Sequence, residues 1–120
     1  MTTQKRSLIT SLLVPSIQPL EEFQWALENG YAWNTRTCKL CNKKDLLDIV
    51  ELTRNRYFAS HNVQLQNDWD FIACKHAAET GQLEILKWLY ENKCYWNGPL
   101  YDYFADSTHH YKVSSWIKGL

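Results

Sequence analysis

Residues 76–97 read HAAETGQLEILKWLYENKCYWN, and few folds accommodate such a stretch. Ala77 and Ala78 suit the end of a helix that another backbone approaches closely. Gly81 then stops the helix, because glycine takes the left-handed conformation without steric cost. Beyond it Leu83, Leu86, Leu89 and Tyr90 recur at helical spacing, and Ile85 and Trp88 widen the apolar face. The pattern predicts helix, tight turn, helix and an Asn-rich exit. One such pair cannot bury its own apolar face, so it requires neighbours of the same kind.

The neighbours are present in the chain. Trp88 to Asn97 (WLYENKCYWN) is echoed by Trp25 to Asn34 (WALENGYAWN), each with a second Trp-Asn eight residues after the first Trp. A further copy starts at Trp69-Asp70, and Trp69 to Cys74 matches Trp33 to Cys38 in spacing. Trp33 and Trp69 are 36 residues apart, whereas Trp69 and Trp96 are 27 apart. The difference implies an insertion between Arg54 and Asp68 in a repeat near 27 residues.

Taken in order, Thr3 to Val14 is expected to form an amphipathic helix stopped by Pro15. Pro19 to Leu27 forms a second, with Pro19, Glu21 and Glu22 suited to its first turn and Gly30 ending it. Asn34 or Thr35 caps the next helix, which turns Cys38, Cys41 and Asn42 inward. Asp45 then caps a helix from Leu46 to Arg54, with Leu47 and Val50 inward and Leu46 a further candidate for that face. Tyr57 to Asp68 loses periodicity and is expected to be mainly loop. Phe71 to Thr80 and Gln82 to Asn92 form the central pair. Gly98-Pro99 opens a last pair whose second helix turns Val113, Trp116 and Ile117 inward.

Trp-Asn or Trp-Asp, a Cys five residues after the Trp, small residues, Gly and then Leu-Glu-Ile-Leu-Lys-Trp-Leu together resemble divergent ankyrin-type repeats. They are most similar to the short Trp-rich repeats of large DNA viruses of protists. The sequence lacks the Thr-Pro-Leu-His start of ordinary ankyrin repeats, and Asp45 stands where Gly81 stands in the following copy. The expected fold is all-α, a short ankyrin-like solenoid of about four helix pairs. One domain is expected, with a capping repeat over 1–32, a repeat with its insertion over 33–68, the best match over 69–95 and a second cap over 96–120.

Composition narrows the function. The 120 residues carry 13 basic and 13 acidic side chains and no net charge, which argues against a nucleic-acid binder that works by counterion release. No apolar run reaches the length of a membrane span. The apolar run Ser7 to Val14 follows Lys5-Arg6 but is short and lacks an Ala-x-Ala site, so a secretory leader is not expected. Four cysteines do not make a disulfide framework in a chain of this length.

Cys38 and Cys41 form a Cys-x-x-Cys, and with Cys74 and His76 they would supply a zinc-type ligand set. Against this, Cys38 and Cys74 occupy equivalent repeat positions, which places them about 10 Å apart on neighbouring helices. Buried packing of reduced thiols is the expected role. Adjacent His109 and His110 diverge by about 100° on a helix and do not readily serve one site. No Gly-rich phosphate loop and no nucleophile–base arrangement stands out, so neither an enzyme nor a cofactor is expected.

The resemblance implies a non-enzymatic, monomeric protein-binding module in the cytoplasm, the host's if the chain is viral. The face would be the first helices and the turns that lead into them. Arg36, Lys39, Lys43, Phe71, Lys75, Glu79 and Tyr101 are the candidate partner-binding residues. Phe71 is the leading anchor, because its repeat counterpart is Thr35 and stacking demands no aromatic there. Tyr95 and Tyr103 are further non-recurring aromatics, while Tyr103 and Phe104 would alternatively fill the last repeat's core. Trp33, Trp69 and Trp96 recur and are expected to pack between repeats. A metal-stabilised or nucleic-acid-binding module, or a structural subunit of a larger particle, are the competing readings.

Overall fold

The computed structural model describes residues 18–31, 33 and 35–120. The expected helix over Thr3 to Val14 and the capping role of Asn34 lie outside these residues. Seven helices are described, and no strand is found among the described residues. They are α1 (Pro19–Glu28), α2 (Thr35–Leu40), α3 (Lys43–Ser60), α4 (Val63–Glu79), α5 (Leu83–Glu91), α6 (Gly98–Ser107) and α7 (Tyr111–Lys118).

Four of the helix ends are built alike. At Gly30, Gly81, Lys93 and His109 the backbone takes φ of 71°, 73°, 61° and 65°. At each, the next residue's N–H reaches back to a carbonyl five residues earlier: Tyr31 to Ala26, Gln82 to Ala77, Cys94 to Leu89 and His110 to Ala105, at 2.7–3.1 Å. This left-handed ending satisfies carbonyls that the helix leaves unpaired. The WALENGYAWN and WLYENKCYWN echo is also structural. Asn29 and Asn92 each donate their side-chain amide to the carbonyl of the Trp four residues earlier, at 2.9 and 2.8 Å.

Packing follows the amphipathic pattern. α1 lies on α2 and α3, α3 on α4 and α5, α4 on α5 and α6, and α6 on α7. Phe23, Leu27, Leu46, Val50, Trp69, Ala73, Cys74, Ala77, Ala78, Ile85, Leu86, Leu89, Val113 and Ile117 are buried in one continuous core. Ala77 and Ala78 are fully buried, as their small size predicts. Tyr90, assigned to the apolar face of α5, instead lies at the surface.

Residues 57–68 differ from expectation. They are helical except for the corner at His61 and Asn62. The buried stripe of α3 continues from Val50 through Thr53 and Arg54 to Tyr57 and Phe58, which pack on Trp69. Asn62 caps α4 by accepting from the N–H of Leu65, and the Gln66 amide donates to the Phe58 and His61 carbonyls at the end of α3. With both helix ends satisfied, a two-residue corner replaces the loop. α4 therefore begins at Val63 and not at Phe71, and Trp69 sits inside a helix, whereas Trp96 precedes one. The cap of α3 is also shifted. Asn42 accepts from the N–H of Lys44 at 2.7 Å, and Asp45 lies in the first turn, where a carboxylate favours the positive helix end.

Candidate partner-binding face

Of the seven residues expected to meet a partner, five fall into three groups. Arg36 and Lys39 are exposed on α2. Lys43, the first residue of α3, lines a separate cleft of about 450 Å³ with Gly81, Glu84, His109, His110 and Lys112. Phe71 and Lys75 are half-buried on α4 and belong to an aromatic cluster shared with α6. The Phe71 ring lies 6.0 Å from that of Tyr101 and 6.4 Å from that of Phe104, edge-on to the latter. The Lys75 ammonium stands 5.4 Å from the Phe104 ring centre, within range of a cation–π contact. Tyr103, 5.8 Å from Phe104, is 64% exposed and extends this surface toward solvent. Spacing explains the cluster, since Phe71 and Lys75 are one turn apart on α4 and meet the adjacent helix.

Tyr101 is not a surface residue. It is 0% exposed, and its hydroxyl donates to the Tyr95 carbonyl at 2.9 Å. Burial raises its phenol well above the usual range. The position faces α4, so an aromatic there fills core. Glu79 is half-buried and pairs with His76 Nδ1 at 3.2 Å. Burial lowers the His76 pKa despite the neighbouring Glu79 carboxylate, and Lys75 adds to the lowering.

Next to the aromatic cluster runs a groove of about 550 Å³ lined by Gln64, Asn67, Asp68, Phe71, Ile72 and Tyr95. Tyr95 projects from the α5–α6 connection and is exposed. The part of α4 before Phe71, read from sequence as loop, supplies half of this groove.

Beneath the face lies a polar seam that sequence inspection missed. Arg54 of α3 donates from Nε and Nη2 to the two Asp70 carboxylate oxygens, at 2.9 and 3.2 Å. Its Nη1 donates to the Asn92 carbonyl at 3.2 Å. Asp70 also accepts from the Tyr95 N–H at 2.9 Å. Arg54 and Asp70 side chains are only 8% and 3% exposed. The one available signal was that Asp70 stands where Asn34 and Asn97 stand in the other copies.

The recurring Trp residues pack inward but not identically. Trp33 donates to Thr80 Oγ1 at 3.2 Å and lies against Phe23 and His76. Trp69 donates to the Leu27 carbonyl at 2.8 Å, and Trp96 sits among Tyr90, Tyr101 and Trp116. Cys38 is buried, and burial raises its thiol pKa; Cys41 is half-buried with the same effect. Cys74 lies beside Cys94, not beside the Cys-x-x-Cys. Among the described residues, no three His, Cys, Asp or Glu side chains converge as a metal set would. No helix there is long and apolar enough to cross a membrane.

No protein-family model, curated protein or solved structure matches the chain.

Proposed function

We propose that the chain is a protein-binding module of the ankyrin-like, helix-pair class, and that an intracellular partner docks across α2, α4 and α6. The observation that carries this reading is the surface cluster of Phe71, Lys75, Phe104 and Tyr103, contributed by two helices that are each the first of a pair. Exposed aromatic anchors characterise interface centres more than solvated helix faces. The packing of α4 on α6 and of α1 and α5 on α3 supports a stack in which like helices lie side by side. Arg36, Lys39 and Lys75 would set partner choice and association rate more than affinity.

The test compares immobilised full chain with Phe71→Ala, and with Lys39→Glu combined with Lys75→Glu, in quantitative capture from the native cell. A genuine partner is retained by the parent chain and lost from both variants, with helicity unchanged. Retention by both variants refutes the assigned face, and charge reversal at Glu84 and Lys87 on α5 then tests the opposite one.

A further inference from the structure

Cys74 and Cys94 are 20 residues apart in sequence, yet their Sγ atoms lie 3.4 Å apart in the core. Cys74 is on α4 and has no exposure; Cys94 is in the α5–α6 connection and retains 7%. The connection is held in place on both sides of Cys94. Its own N–H donates to the Leu89 carbonyl, and the next N–H, that of Tyr95, donates to Asp70. The two sulfurs are therefore kept adjacent by backbone hydrogen bonds, independently of any bond between them. Cys38 and Cys41 belong to a different part of the core, where Cys38 meets Trp33, Thr80 and Gln82.

We propose that Cys74 and Cys94 are a modification site, a dithiol that hydrogen peroxide closes to a disulfide tying α4 to the α5–α6 connection. Cys94, the sulfur with residual exposure, attacks the peroxide oxygen and becomes a sulfenic acid, releasing one water. Cys74 then attacks the Cys94 sulfur, the S–S bond forms and the sulfenic oxygen leaves as a second water. The two thiols lose two hydrogens and two electrons, and one peroxide is reduced to two waters. Burial raises the Cys74 thiol pKa, with Cys94 and Asp70 adding to it, so the second step is slow at neutral pH. Tyr101 and the Arg54–Asp70 pair are the other polar groups facing this thiol. The bond closes a loop in the unfolded chain, lowers that chain's conformational entropy and so raises the unfolding temperature by roughly 10 °C.

The experiment treats the folded full chain with millimolar hydrogen peroxide, traps free thiols with N-ethylmaleimide and digests with trypsin without reductant. Tryptic peptides 57–75 and 94–112 each hold one cysteine of the pair, and 37–39 and 40–43 hold the others. The expected product is 57–75 linked to 94–112, lighter than the two peptides by two hydrogens, with 37–39 and 40–43 maleimide-labelled. Cys94→Ala, in the connection, abolishes the link and the thermal gain. Cys74→Ala does the same where it folds. Free thiols at both Cys74 and Cys94, overoxidation of Cys94 without a link, or links that use Cys38 or Cys41 in place of either, overturn the proposal.

Discussion

Replacing Arg54 with Met should be among the most damaging single changes in the chain. The substitution keeps most of the stem's bulk and removes the guanidinium. It deletes two charge-assisted hydrogen bonds to Asp70, one hydrogen bond to the Asn92 carbonyl and a stack 4.3 Å over the Phe58 ring. What it leaves is worse than what it deletes. Asp70, 3% exposed, becomes a buried charge whose remaining partner in the seam is the Tyr95 N–H. Breaking a buried pair from one side costs about 3–5 kcal/mol. A small domain has roughly 5–15 kcal/mol in all, so the variant should unfold about 10–20 °C lower. Asp70→Asn tests the other side: it keeps an acceptor for Tyr95 but strands the guanidinium, at a similar cost. The double variant Arg54→Met with Asp70→Asn removes both charges and keeps an acceptor for the Tyr95 N–H. It should cost less than the sum of the singles, and its remaining penalty should come from the lost Asn92 hydrogen bond and the lost stack on Phe58. Urea unfolding followed by Trp fluorescence and far-UV circular dichroism measures all three. A loss below about 1 kcal/mol for Arg54→Met, or strict additivity in the double variant, would refute the buried-pair account.

Lys93 occupies a left-handed helix ending that glycine fills at Gly30 and Gly81, so Lys93→Gly should stabilise by about 0.5–1 kcal/mol, read as a higher urea midpoint. Gly81→Ala should go the other way, because a Cβ there meets His110 Nδ1 at 2.5 Å and keeps an unfavourable φ of 73°. Leu86→Ala, at a fully buried position, should cost about 2–5 kcal/mol in the same assay, and an unmoved midpoint would mean the core face of α5 is wrong. His76 has a folded pKa below the ordinary 6.5, so the unfolded chain binds the proton more readily. Its contribution to stability is full above about 6.5 and is lost as pH falls from there through the lowered folded value; His76→Gln should flatten that part of the stability–pH curve.

Local chemistry was legible where a residue type has one physical use. Gly30 and Gly81 marked helix ends because few residues tolerate their backbone, and Pro19 and Pro99 marked helix starts. Lys93 and His109 end helices in the same way without the glycine signal, and only the Trp–Asn echo hinted at the first. The loop expected over 57–68 failed because its polar residues face solvent on a helix, while Tyr57 and Phe58 extend the stripe begun at Val50. The cap expected at Asp45 is provided by Asn42, since both types accept backbone N–H groups and only the backbone angles at Asn42 separate them. Of the candidate face, the exposure of Arg36, Lys39 and Lys43 followed from charge. The burial of Tyr101 did not, because nothing local distinguishes an aromatic turned toward the neighbouring helix from one turned to solvent. The Arg54–Asp70 and Cys74–Cys94 pairs join residues 16 and 20 apart, beyond the reach of helical periodicity.

Tyr101 shows how a buried residue governs a surface one. Both main-chain polar groups of Tyr95 are held by side chains: its N–H by Asp70, and its carbonyl by the Tyr101 hydroxyl. The Tyr95 ring is thereby presented to the groove beside Phe71 and Ile72 from a backbone fixed at two points. An anchor held this way loses little freedom when a partner covers it, which favours affinity. Tyr101→Phe keeps the ring that packs on Phe71 and Trp96 and removes only the hydroxyl. Its stability cost should be about 0.5–1.5 kcal/mol, the net contribution of one hydrogen bond. The larger effect should be local. Hydrogen exchange at the Tyr95 and Cys94 amides should accelerate while the α5 amides keep their protection. If the groove belongs to the proposed face, partner affinity should fall in the same variant, and Tyr101→Phe should add no further loss once Tyr95 is replaced by Ala. Unchanged exchange at Tyr95 in Tyr101→Phe would show that the hydroxyl does not hold the connection, and that the Asp70 bond alone positions the ring.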